Sequence, residues 1–204
     1  MVPWIGKVTN ITLDRYLPFV KKAISYLYLR MHGVETRYGY VTLNGFPIIY
    51  KLRNSRIILH KGITLTSKSK YNVAGVNHPV ILATLKENAI IEIGAFSGLS
   101  GTSICSVTRV TVGDGCGLGA NTNIYDTDFH LIDPDLRKMQ KDVTEAKSIP
   151  IRLGKDVWLS ANVTVLKGVN IGDGAAVSVG SVVNKNIPSR ELHGGIPAKK
   201  IKDI

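Results

Sequence analysis

Two apolar periods divide the chain. From Thr12 to about Met31 the apolar residues Leu13, Tyr16, Leu17, Val20, Ile24, Leu27 and Tyr28 recur at helical spacing. Arg15, Lys21, Lys22 and Arg30 lie among them, Pro18 suits a first turn, and Gly33 is a stop signal. The spacing predicts an amphipathic helix packed on the body or on a neighbouring subunit; a basic helix lying on a membrane surface is the alternative. After Gly33 come short β-rich runs, Tyr40 to Leu43, Pro47 to Leu52, Arg56 to Leu59 and Ile63 to Thr66, broken by a polar stretch from Ser67 to His78.

From Ile90 onward the beat is six. Ile93, Leu99 and Cys105, then after a one-residue slip Val112, Leu118 and Ile124, then Leu153, Leu159, Val165, Ile171, Val177 and Val183 all carry aliphatic side chains or Cys. Of the twelve residues that follow them, nine are Gly or Ser, as in Gly94, Ser100, Gly113, Gly154, Ser160 and Gly172. A period of six is no helix face, and simple two-fold alternation would not bring Gly or Ser back only at every sixth place. It fits a solenoid of short flat strands that turns a corner every six residues, about eighteen residues to a three-sided coil. The aliphatic points inward, and the small residue sits where a side chain would strike the turn. On this beat Cys105 and Cys116 are interior residues.

The segments IGAFSGLSGTSI, VTVGDGCGLGANTNIYDTDFH and VWLSANVTVLKGVNIGDGAAVSVGSVV resemble the hexapeptide-repeat acyltransferases, and among them the sugar and galactoside O-acetyltransferases. The resemblance is dense from about Ile90 to Ile201, weaker from Tyr40 to Leu65, and does not reach the helix. It implies an all-β fold, a left-handed parallel β-helix whose handedness comes from the family and not from the period. The expected organisation is a helical segment over 1–38 and a β-helix domain over 39–204. An insertion loop at 126–150 and a C-terminal tail at 188–204 complete it.

The insertion carries the candidate chemistry. It leaves a regular coil and returns to it, and an interruption of that length in a compact repeat is usually functional. It opens with Asp126, Asp128 and His130. An imidazole of ordinary pKa, about 6.5, is mostly neutral at pH 7 and can take a proton. The resemblance implies that His130 is the catalytic base for direct acetyl transfer from acetyl-CoA to a hydroxyl of a sugar or polysaccharide precursor. Asp126 and Asp128 are candidates for orienting the imidazole or binding the acceptor. Ser100 and Ser103 stand where some relatives place an acceptor-facing Asn.

The cofactor side is likewise read from the resemblance. The backbone N–H of Ala161 matches the donor that steadies the oxyanion. Trp158 would line the pantetheine channel or a subunit seam. Val179 and Gly180 match corner residues that contact the pantetheine amides, Asn184 and Lys185 match a Thr-Lys pair, and Lys199 and Lys202 match basic residues near the nucleotide phosphates. Relatives form homotrimers with sites between subunits, so a homotrimer is expected.

Composition narrows the alternatives. Among 204 residues, 26 Lys and Arg face 15 Asp and Glu, a net charge of +11 that calls for an anionic partner. With 7% aromatics and dispersed basic residues, nucleic acid is not the expected partner. Two cysteines make no disulfide framework, the opening MVPWIGKVTN is no signal peptide, and no apolar stretch is long enough to span a bilayer, so the expected location is cytoplasmic. A zinc enzyme on this architecture needs three His, and His130 is alone between Ile90 and Ile187, so no metal is expected. The remaining alternatives are a non-enzymatic β-helix scaffold and an N-acetyltransferase acting on an amino sugar.

Overall fold

A computed structural model describes residues 20–37, 39–138 and 145–204 of the chain. Leu13, Arg15, Tyr16, Leu17 and Pro18 of the expected helix lie outside the described residues. The body is a three-sided prism of parallel strands in which each strand pairs with the one three positions along the chain. The first face holds Glu35–Thr36, Arg56–Leu59, Ile90–Ile93, Arg109–Val112, Ile151–Leu153 and Asn170–Ile171. The second holds Thr42–Asn44, Thr64–Thr66, Gly98–Ser100, Gly117–Leu118, Trp158–Leu159 and Ala176–Val177, and ends in Glu191–Gly195 and Ala198–Asp203. The third holds Ile48–Lys51, Ile81–Thr84, Ser103–Ser106, Asn123–Tyr125, Thr164–Leu166 and Val182–Val183.

The inward residues stack in columns. Leu65, Leu99, Leu118, Leu159 and Val177 are buried in register on the second face. On the third face the column is Leu82, Ile104, Ile124, Val165 and Val183, which corrects the sixfold count at one point. The corner after Leu99, at Gly101 with φ +52°, is one residue shorter than the beat, so Ile104 turns inward and Cys105 outward, level with Ala83 and Tyr125. Cys116 is interior as expected.

The corners explain the Gly recurrence. A Cβ on Gly113 would lie 2.3 Å from the Gly154 carbonyl oxygen one coil on, and a Cβ on Gly94 would lie 2.4 Å from the Gly113 carbonyl carbon. Neither neighbour can yield, since both are backbone. Gly113→Ala should therefore destabilise the fold by about 1–3 kcal/mol, read as a lower midpoint of chemical unfolding. Two residues further round the same corner a row of residues has positive φ, and glycines alternate with larger residues: Gly62, Phe96, Gly115, Asp156, Gly174, Arg190. The Phe96 ring occupies the space a Gly62 side chain would need, its edge 2.5 Å from the Cβ position.

Both ends are capped, as an open solenoid requires. Residues 20–31 form helix α1, which lays Ser25 and Leu29 against the first coil, with Leu29 in the core beside Val34, Val41 and Ile57. The Tyr28 hydroxyl donates to the Pro47 carbonyl at 2.6 Å. One expected boundary shifts, and the expected tail proves ordered. Glu35–Thr36 already pairs with Ile58 and Leu59, so the prism starts ahead of residue 39. The tail over 188–204 is no loose end: Glu191–Gly195 and Ala198–Asp203 form an antiparallel hairpin that extends the second face. His193 continues the inward column above Val177, its Nε2 2.8 Å from Glu191. The polar break after Thr66 is a short arm with a turn at Ser69–Tyr71, and it returns in the strand Ile81–Thr84.

Candidate functional site

The insertion leaves the prism where the third face turns into the first. Its two ends are zipped together: Thr127 bridges Ser148, the Asp128 N–H donates to the Lys147 carbonyl at 3.2 Å, and the Ile149 N–H donates to the Asp126 carbonyl at 2.8 Å. Lys167 on the next coil pairs with the Asp128 carboxylate. A tight turn follows. The His130 N–H donates to the Asp128 carbonyl at 2.7 Å, and Phe129 takes φ +61° with its ring edge-on to Tyr125 at 5.2 Å. A bulky residue held in that region signals a turn enforced by its surroundings. His130 is thereby thrust into solvent from a rigid base.

The acceptor candidates divide. Asp126 is fully buried and points into the prism, in the column of Thr84 and Ser106. Its carboxylate accepts from the Ser106 hydroxyl at 2.9 Å, the Val107 N–H at 2.7 Å, and the Thr108 N–H and hydroxyl at 2.8 Å. That corrects the expectation for Asp126: the group ties down the corner from which the loop departs and has no edge open to an acceptor. Ser103 is also buried, level with Asn123, whose side-chain oxygen accepts from the Tyr125 hydroxyl at 2.8 Å; this corrects Ser103 as an acceptor contact. Asp128 is committed to Lys167, and Ser100 lies at the far corner, between the second and third faces.

That far corner gathers the cofactor candidates. Trp158 stands exposed on the second face between Gly117 and Ala176. Ala161 and Val179 occupy equivalent places at the corner, and neither N–H has an acceptor among the described residues. Gly180 is open on its outer side, with no atom within 4 Å of a built Cβ. Lys199 and Lys202 are exposed on the hairpin without a carboxylate partner among the described residues, whereas Lys200 is held between Glu191 and Asp203 at 2.8 and 2.7 Å. Lys200 and His193 hold the Glu191 carboxyl below its usual range. Asn184 and Lys185 lie instead on the His130 edge, level with Leu166 and Lys167.

One chain therefore splits the candidate site between two edges of its third face. The strand residues 162–166 between Ala161 and Lys167 set those edges roughly 15 Å apart. Sequence reasoning missed Lys167, which anchors the loop, and Tyr125, which supports Phe129. It also missed Asn121, whose side chain grips the arm through the Asn77 N–H at 3.0 Å and the Gly75 carbonyl at 3.1 Å. The first and last reach across 39 and 44 or more positions, so only the coil register brings them to their partners.

Neither cysteine is equipped as a nucleophile. Burial, aided by the negative charge of Asp126, pushes the Cys105 thiol up to about 11, and burial pushes Cys116 up to about 11. Both should react with iodoacetamide at pH 7.5 about 100-fold more slowly than an unhindered cysteine, and Cys105→Ala should keep its activity. Rapid labelling of the native protein would contradict this. Among the described residues no three His, Cys, Asp or Glu side chains cluster as metal ligands.

No family model matches the chain. Galactoside O-acetyltransferase of Escherichia coli K12 is 35% identical over 165 residues, which is 79% of this chain and 78% of that protein. A hexapeptide-repeat acetyltransferase of Vibrio cholerae, solved with acetyl coenzyme A, is 28% identical with a TM-score of 0.50 over 56% of this chain and 60% of that one. A galactoside acetyltransferase solved with coenzyme A superposes at a TM-score of 0.53 and 24% identity over 88% of this chain and 68% of that one, a likeness of fold.

Proposed function

Because this chain belongs to the hexapeptide-repeat acetyltransferases and shares their left-handed parallel β-helix, we propose that it moves the acetyl group of acetyl-CoA to a hydroxyl of a sugar or polysaccharide precursor. The observation that carries the reading is His130, exposed on a turn whose base is hydrogen-bonded and ion-paired to the prism. Its imidazole takes the acceptor hydroxyl's proton as that oxygen attacks the thioester carbonyl. The carbonyl oxygen gains negative charge, which the Ala161 N–H, without an acceptor among the described residues, can meet. Collapse of the intermediate breaks the C–S bond, and the leaving thiolate takes the proton back from His130.

The split between the two edges supports assembly as a homotrimer, in which His130 of one subunit faces the Ala161, Val179 and Gly180 corner of the next. Trp158 then lies at the seam, and Lys199 and Lys202 are available to the nucleotide phosphates. A monomeric mass of about 22 kDa in light scattering, with full activity, would remove that arrangement. The acceptor is tested with labelled acetyl-CoA against free glycosides, nucleotide sugars and amino sugars. A product whose label hydroxylamine releases is an ester and fits O-transfer; a resistant product is an amide and would replace this reading with N-transfer.

A further inference from the structure

The charge of the chain is concentrated at one end of the prism. Between residues 20 and 75 ten Lys and Arg stand against a single acid, Glu35, and Glu35 is already paired with Arg56 at 2.6 Å. Lys21, Lys22, Arg30, Lys68 and Lys70 have no carboxylate partner among the described residues. Lys22 lies instead over the Tyr40 ring at 3.8 Å and Lys70 over the Tyr71 ring at 4.9 Å.

The same end exposes apolar surface in an ordered way. Helix α1 uses Ser25 and Leu29 to cap the core and leaves Val20, Ile24, Leu27 and Met31 at 47%, 49%, 58% and 69% exposure. At 3.6 residues per turn these four lie within about 60° of one another, with Lys21 and Arg30 on either side of the stripe. Beside it runs a groove of about 350 Å³ with Lys21, Lys22 and Lys68 around an apolar floor that includes Ile24, Leu43 and Phe46. None of these side chains is among the candidate residues of the acetyl-transfer site.

We propose that this end of the prism docks on an anionic membrane surface, with the α1 stripe set among the first methylenes and the flanking cations on the headgroups. An apolar strip bordered by lysine and arginine on a helix backed by a folded body is what interfacial binding requires, and each cation near an anionic surface adds to it. A second copy of the helix fits less well, because it would set the flanking Lys21 and Arg30 against like charges. A nucleic acid would satisfy the cations and leave the stripe wet. The inference is independent of the acetyl-transfer reading.

The test is flotation of the full chain with vesicles of phosphatidylcholine and phosphatidylglycerol, and with phosphatidylcholine alone. Binding should be at least about tenfold tighter to the anionic vesicles and should weaken as salt is raised. Lys21→Glu with Lys22→Glu, and separately Ile24→Ser with Leu27→Ser, should each lower it by about tenfold or more, while Arg152→Glu on the first face should not. All of these positions are exposed, so circular dichroism and acetyl transfer to a soluble acceptor should stay at the parental level. Equal binding to neutral vesicles, or undiminished binding by the stripe variant, would overturn the proposal. So would a smaller oligomer in the stripe variant, which would make the stripe a seam between copies, or capture of an oligonucleotide in place of the vesicles.

Discussion

Replacing His130 by alanine is expected to lower kcat by about 10²-fold or more while the KM for acetyl-CoA stays nearly unchanged. The imidazole makes no side-chain hydrogen bond to a described residue and is exposed, so its loss removes little packing and leaves no buried group unpaired. The thermal midpoint should therefore stay within a degree or so of the parent. That combination, lost turnover in an intact fold, separates a proton-transfer role from a structural one. Steady-state kinetics with the best acceptor from the screen, run beside a thermal melt, measures both. Normal turnover in His130→Ala would dismiss the base and the direct-attack mechanism with it.

Asp126→Ala should show the opposite signature. Its carboxylate is fully buried and holds two backbone N–H groups and two hydroxyls at 2.7–2.9 Å. Removing it leaves the buried Val107 N–H and the half-buried Thr108 N–H unpaired, at a cost of about 3–5 kcal/mol, visible as a large fall in the denaturant midpoint. Asp126→Asn should be milder, about 1–3 kcal/mol, because the amide oxygen keeps one backbone donor and the Ser106 and Thr108 hydroxyls can rotate to accept from the amide nitrogen, while the other backbone N–H loses its acceptor. Were Asp126 an acceptor contact, Asn would raise the acceptor KM and leave stability alone. The loop carrying His130 springs from this corner, so activity in either variant should fall along with the folded fraction.

The interior was legible because a triangular coil repeats one backbone environment. Each corner meets the same crowding on successive coils, and Gly113 and Gly154 show why only hydrogen fits at the corner between the first and second faces. The count failed at Cys105, where the Gly101 corner drops a residue and the side chains beyond it exchange inside for outside. A slip of one reverses every orientation in a strand, and no local composition announces it. The acidic opening of the insertion misled for a related reason. In sequence Asp126 and Asp128 look alike, two residues apart beside His130, yet one ends inside the prism and the other on a surface lysine.

The amino-acid order by itself determined the solenoid, its three-sided coil, the place where it is interrupted, and the histidine that the interruption carries. These are local matters: a six-residue period is set by sterics within one turn and its immediate neighbours, and it survives without knowledge of distant contacts. Only the tertiary structure decided that Lys167 anchors the loop, that Asp126 is spent on the corner, and that His130 and the corner of Ala161, Val179 and Gly180 fall on separate edges. Those outcomes depend on which residues the coils bring level with one another. Insertions after Thr66 and Tyr125 change the number of residues in a coil, so alignment between coils emerges only once the chain has wound.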